Sequence, residues 1–186
     1  MPIHALAVAL WLAAAPSPSP ATATAPPPVA AAPQPDPWVP LRFLVGTWKS
    51  EGGGGKPGDV VGGGFTFAIE LDGKVAVRRS RSEIAPRTGE ARGTVHEDLT
   101  VIAPKGKGLQ AWTWDNEGHA IRYAVRSEAG IVIFESESGA PGPRFRLAYA
   151  RRGADQVEIS FSIAQPGKPF APYVSGLARR VRDPSP

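Results

Sequence analysis

Alternation of apolar and polar residues governs the chain from residue 64 onward. In 64–71, Phe65, Phe67, Ile69 and Leu71 share one face, the period of a half-buried strand. Asp72-Gly73 then offers the central pair of a tight hairpin turn, which predicts a partner strand over 74–83. The same alternation returns over 94–103, with Val95, Glu97, Leu99 and Val101 opposed to His96, Asp98, Thr100 and Ile102. Further strands follow over 109–115, 120–126, 131–135, 144–152, 157–163 and 173–180. Glycine, proline and asparagine cluster in the short gaps between them. No stretch sustains a helical period over more than about ten residues.

The first strand is predicted over 46–51. Ahead of it, Pro40 starts a short helical turn that carries Leu41 and Leu44 inward, with Trp38 packing nearby. Gly46-Thr47-Trp48 opens the strand, and Trp48 is placed as the plug of one end. The total is about ten short strands joined mostly by hairpin-sized turns, an all-β pattern. A meander of this kind removes its edges by closing into an antiparallel up-and-down β-barrel; a two-sheet sandwich is the alternative. Between the first two strands, Gly52–Gly58 is glycine-rich. No Gly-Lys-Ser/Thr and no helix follow it, so it reads as a flexible connection, or as a flap over a cavity mouth, rather than as a phosphate loop.

Composition divides the chain. Most of the 21 prolines lie within the first forty positions. Residues 1–23 carry a short apolar run, too short for a bilayer span of about 20 residues. It reads as a secretory signal peptide ending at Ala21-Thr22-Ala23. Residues 24–37 read as a disordered Pro/Ala-rich linker, and 38–182 as the barrel domain. The protein is thus expected in the periplasm or secreted, with no stable membrane insertion after leader removal.

The chain has no cysteine, which excludes disulfides, thiol catalysis and cysteine metal sites. The net charge of +4 is mild. Arginines are scattered along strands instead of forming a basic stripe, which speaks against nucleic acid as a partner. There is no Gly-x-Ser-x-Gly nucleophile motif. His96 and Asp98 share a face, but a metal there would need a distant third ligand.

Two sets of residues are candidates for ligand binding. If the face carrying Val75 and Val77 points inward, Arg79 and Arg81 enter the barrel mouth and can pair with an anionic head group. Otherwise they form surface ion pairs with Glu97 and Asp98 on the next strand. Tyr123, Tyr149 and Tyr173 either fill the core or line a cavity as polar handles on apolar walls.

Gly46-Thr47-Trp48 followed by a meander is similar to the signature of the calycins, the group of lipocalins and fatty-acid-binding proteins. That resemblance implies that Trp48 closes one end while an arginine of the last strand covers its indole. Arg179 is the matching candidate, with Arg180 as its neighbour. Over about residues 41–180, Phe43-Leu44-Val45-Gly46-Thr47-Trp48, Glu70-Leu71-Asp72-Gly73-Lys74 and the ending from Pro172-Tyr173 to Arg179 resemble a bacterial family of lipocalin-like barrels of unknown function. More distantly, the chain resembles nitrobindin, a ten-stranded haem barrel. Tyr173 stands where that family has its haem-ligating histidine, and tyrosine also ligates ferric haem.

These readings converge on an exported barrel that binds a small apolar or amphipathic molecule, fatty-acid-like in kind, with no cofactor and no defined catalytic activity. A haem- or metal-dependent enzyme on the same barrel and a ligand-free interaction barrel are the alternatives.

Overall fold

The computed structural model describes residues 35–52, 58–137 and 142–182. The leader and nearly all of the linker lie outside the described residues, as does the glycine-rich stretch 53–57 considered as a flap. Proline at the start favours a 3-10 helix over Val39–Leu44. Ten strands follow: β1 (Gly46–Ser50), β2 (Val60–Glu70), β3 (Val75–Ile84), β4 (Thr94–Lys105), β5 (Gly108–Asp115), β6 (Ala120–Glu128), β7 (Ile131–Ser136), β8 (Arg144–Arg151), β9 (Gln156–Ala164) and β10 (Ala171–Arg180). Each pairs antiparallel with its neighbours in sequence, and β1 pairs with β10 to close the barrel.

Leu41 and Leu44 turn into the barrel and are buried, so the 3-10 helix lies across one end as a lid. Trp38 is buried beside them, and its Nε1 donates to the carbonyl of Gly73 at 2.8 Å, tying the lid to the β2–β3 turn. That turn departs from the expected tight pair. Leu71, Asp72 and Gly73 all have positive φ (51°, 51° and 80°), and Lys74 closes the loop back to Glu70 and Leu71. Leu71 therefore leaves the strand and becomes exposed instead of sharing the face of Phe65, Phe67 and Ile69.

Trp48 holds this end together. It is 2% exposed, donates from Nε1 to the carbonyl of Leu44 at 2.8 Å and stacks on Phe65 with ring centres 5.8 Å apart. Gly64 lets β2 run against β1, since a Cβ there would meet the carbonyl oxygen of Trp48 at 2.1 Å. The cation over the indole is Arg180, not Arg179. Its guanidinium lies 4.3 Å from the ring centre and donates to the carbonyls of Val45 and, at 2.8 Å, Phe43. Alternation explains the correction. Ala178 is fully buried, Arg180 shares its face and stands opposite Trp48, while Arg179 points outward and pairs with Glu51. Gly46 makes room for this lock: its φ is +120°, and a Cβ would sit 2.9 Å from Arg180 Nη1.

Arg180→Leu is expected to lower stability by about 2–4 kcal/mol, from two charge-assisted hydrogen bonds and one cation–π contact. Arg179→Leu is expected to cost less than about 1 kcal/mol, because its ion pair is at the surface. Urea unfolding followed by tryptophan fluorescence checks this; equal losses would place the lock on the wrong arginine.

Candidate functional site

The interior has a filled half and an open half. Next to the lid, aromatic side chains interlock across the barrel: Tyr149 meets Phe65, Phe67 and Phe134 at ring-centre distances of 5.3, 5.8 and 6.1 Å, and Tyr123 meets Phe134 at 6.4 Å. All five are buried. Toward the far end, Ile121, Phe145, Leu147, Ile159, Phe161 and Ile163 also face inward by register, yet each stays partly exposed. Solvent therefore reaches the interior from that end, over an apolar wall made mostly by β8 and β9.

The opposite wall is polar. The register of β2 and β3 sets Phe67 against Arg78 and Phe65 against Ser80, so the inward face of β3 carries Ala76, Arg78 and Ser80. It continues as Asp98, Thr100 and Ile102 on β4, then as Ala111, Thr113 and Asp115 on β5. Arg78 and Asp98 form an ion pair whose side chains are only 7% and 10% exposed. The guanidinium lies 5.9 Å from the ring centre of Phe65 and 5.8 Å from that of Tyr149. Thr100 and Thr113 share a 2.8 Å hydrogen bond beside it.

Two buried polar atoms at this level have no hydrogen-bond partner among the described residues: Arg78 Nε and the Tyr149 hydroxyl. Burial works against the charge on Arg78, but the oxygens of Tyr149 and Asp98 around it raise its pKa above the usual arginine value. Burial pushes both interior phenols well above the ordinary tyrosine value, with Arg78 pulling Tyr149 partly back and Asp98 adding to the rise at Tyr123. Both stay neutral hydroxyls.

At the mouth, Asp115 anchors the β5–β6 turn by accepting from the backbone of Glu117 and His119 and from His119 Nδ1 at 2.9 Å. Burial pushes its carboxyl up, but these bonds outweigh that and hold it below the usual value. His96 Nδ1 meets Glu117 Oε1 at 3.1 Å. Among the described residues, no group of three or more His, Asp or Glu side chains is placed to hold a metal.

The proposed site residues are thus dispersed. Tyr123 and Tyr149 lie inside. Tyr173 sits in the irregular stretch of β10 near Pro172 and Val174, 61% exposed on the rim. It lies edge-on to Phe161 at 6.2 Å and accepts a hydrogen bond from Arg87 at 3.2 Å. Its hydroxyl is thus engaged by Arg87 at the exposed rim. Arg79 and Arg81 lie outside the barrel, because the Val75/Val77 face points outward. They pair with Glu70, Glu83 and Glu97 and border an outer groove of about 750 Å³ with Thr47, Thr66, Leu99 and Trp114. The interior arginine is Arg78, and the sequence did contain the signal: a turn centred on Asp72-Gly73 already sets Arg78 opposite Phe67.

No protein-family model matches the chain, and no curated protein matches it significantly.

Asp98→Ala is expected to cost about 3–5 kcal/mol by leaving the Arg78 guanidinium buried without its counter-charge. Tyr149→Phe is expected to stabilise the ligand-free protein by about 1 kcal/mol, because it removes a buried hydroxyl with no partner. Thermal and urea unfolding measure both, and a large loss from Tyr149→Phe would mean that this hydroxyl is bonded.

Proposed function

We propose that the barrel binds a small amphipathic molecule in the open half of its interior and does so without a catalytic step. The observation that carries this reading is the apolar wall of Phe145, Leu147, Ile159, Phe161 and Ile163, which faces inward and remains part-exposed in a barrel whose other end is sealed. Side chains in such a position lose their contact with water when a ligand's apolar surface covers them. Burying about 300 Å² of ligand surface contributes about 7 kcal/mol, from which the cost of immobilisation is subtracted. About 7 kcal/mol corresponds to micromolar affinity before that subtraction, so apolar burial alone gives weaker binding than micromolar.

Kinship with the calycin barrels belongs to the same reading. It rests on Gly46-x-Trp48 meeting a cation from the last strand, in a closed meander of ten strands. So does export to the periplasm or beyond, which rests on the apolar run at residues 1–23.

Titration with Nile red, a neutral apolar dye, tests the site. Phe161→Ala is expected to weaken dye binding by about tenfold, the loss of a large apolar contact. Trp114→Ala, on the outer groove, should leave the dissociation constant within about twofold. The reverse pattern would move the site to the outside of the barrel. No dye binding at all would favour a ligand-free interaction barrel, and a Soret band on adding haem would favour a haem protein.

A further inference from the structure

The charges facing the open half discriminate among amphipathic ligands, and the inference drawn from them rests on the binding reading above. We propose that the interior takes a neutral head group bearing a carbonyl, as in an ester, amide, ketone or lactone, and rejects a free carboxylate.

The first argument is charge. The buried charged groups on the polar wall are one guanidinium, Arg78, and two carboxylates, Asp98 and Asp115, whose side chains are 10% and 7% exposed. Arg78 is already paired with Asp98. An incoming carboxylate would meet one closed ion pair and one further carboxylate, a net charge of minus one, in a site shielded from water, where like charges repel strongly. Arg79 and Arg81, which would reverse this balance, stand on the outer face in their own ion pairs.

The second argument is the pair of unsatisfied atoms. Among the described residues, Arg78 Nε and the Tyr149 hydroxyl make no hydrogen bond of normal geometry, although the guanidinium stands close enough to the phenol to act on it. Both groups are more than nine-tenths buried at the aromatic cluster of the filled half, with the guanidinium carbon 5.8 Å from the Tyr149 ring centre, so a head group reaches them by extending from the open half into the edge of that cluster. A carbonyl oxygen has two lone pairs and no charge, so it can accept from an N–H and an O–H together. It relieves both unsatisfied groups without bringing a third anion near Asp98 and Asp115.

The experiment compares dodecanoic acid, methyl dodecanoate and dodecanamide as displacers of Nile red from the full chain. It runs at neutral pH, below micelle-forming concentrations. The ester and amide are expected to displace the dye at concentrations about tenfold lower than the acid. In Asp98→Asn, which keeps an acceptor for Arg78 but removes one anion, the gap should narrow through tighter binding of the acid. An acid that binds as tightly as the ester would overturn the head-group assignment and leave the binding reading intact. A gap unchanged in Asp98→Asn would overturn the role given to Asp98. Failure of all three compounds to displace the dye would overturn both readings. The comparison in the unmodified protein stands whether or not the variant folds.

Discussion

Closure of the barrel depends on one contact, the guanidinium of Arg180 over the indole of Trp48. The β1–β10 seam is short, with register pairs only at Trp48–Arg180, Lys49–Arg179 and Ser50–Ala178, whereas β2 and β3 pair along almost their whole length. Three side-chain functions make up for the missing ladder bonds. Arg180 donates to the carbonyls at the end of the 3-10 helix, Trp48 donates to Leu44, and the two side chains stack. The carbonyls that a helix end leaves free are thereby used to fasten lid, first strand and last strand at one point.

With that end sealed, the rest of the interior follows from which side of each strand faces in. β4 is informative because its inward face is the more polar one: His96, Asp98 and Thr100 precede Ile102. A fully packed core would make such a face costly. Here Asp98 and Thr100 stand in register with Ser80 and Arg78 beside Phe65 and Phe67, and the polar residues pair among themselves or with the neighbouring strand. On the facing wall stand Phe145 and Phe161, stacked at 6.0 Å. The two walls differ in chemistry, which suits a molecule with two unlike ends.

The architecture was legible in the sequence because alternation, turn residues and the Gly-x-Trp opening all pointed the same way. The lid was legible too, in Pro40, Leu41 and Leu44. The site was harder to read, and the reason can be traced to β3. Val75 and Val77 suggested an inward face by hydrophobicity, yet Val77 lies on the outer face and is only 5% exposed there, in register with Val101 and, one strand further, Trp112. An outer surface that buries valine this well carries the same signature as a core. Register across the hairpin was the stronger guide, and it singles out Arg78. The choice between Arg179 and Arg180 turned on parity with Ala178, which two adjacent arginines conceal. Leu71 was lost to the strand because three consecutive residues adopt left-handed backbone, something its apolar side chain does not advertise.

The lock between Trp48 and Arg180 also fixes an order of events during synthesis. Arg180 reaches back 135 and 137 positions to the carbonyls of Val45 and Phe43, so nearly the whole barrel must be made before its first strand gains a partner on that side. Until the last strand emerges, a growing chain carries an unpaired edge and an uncovered tryptophan, features that invite association with other chains. Contacts this distant in sequence also slow folding, because loop-closure entropy is spent before they form. The final residues of the domain thus act as the closing step of folding, and a chain cut short by a single strand would leave β1 and β9 as open edges.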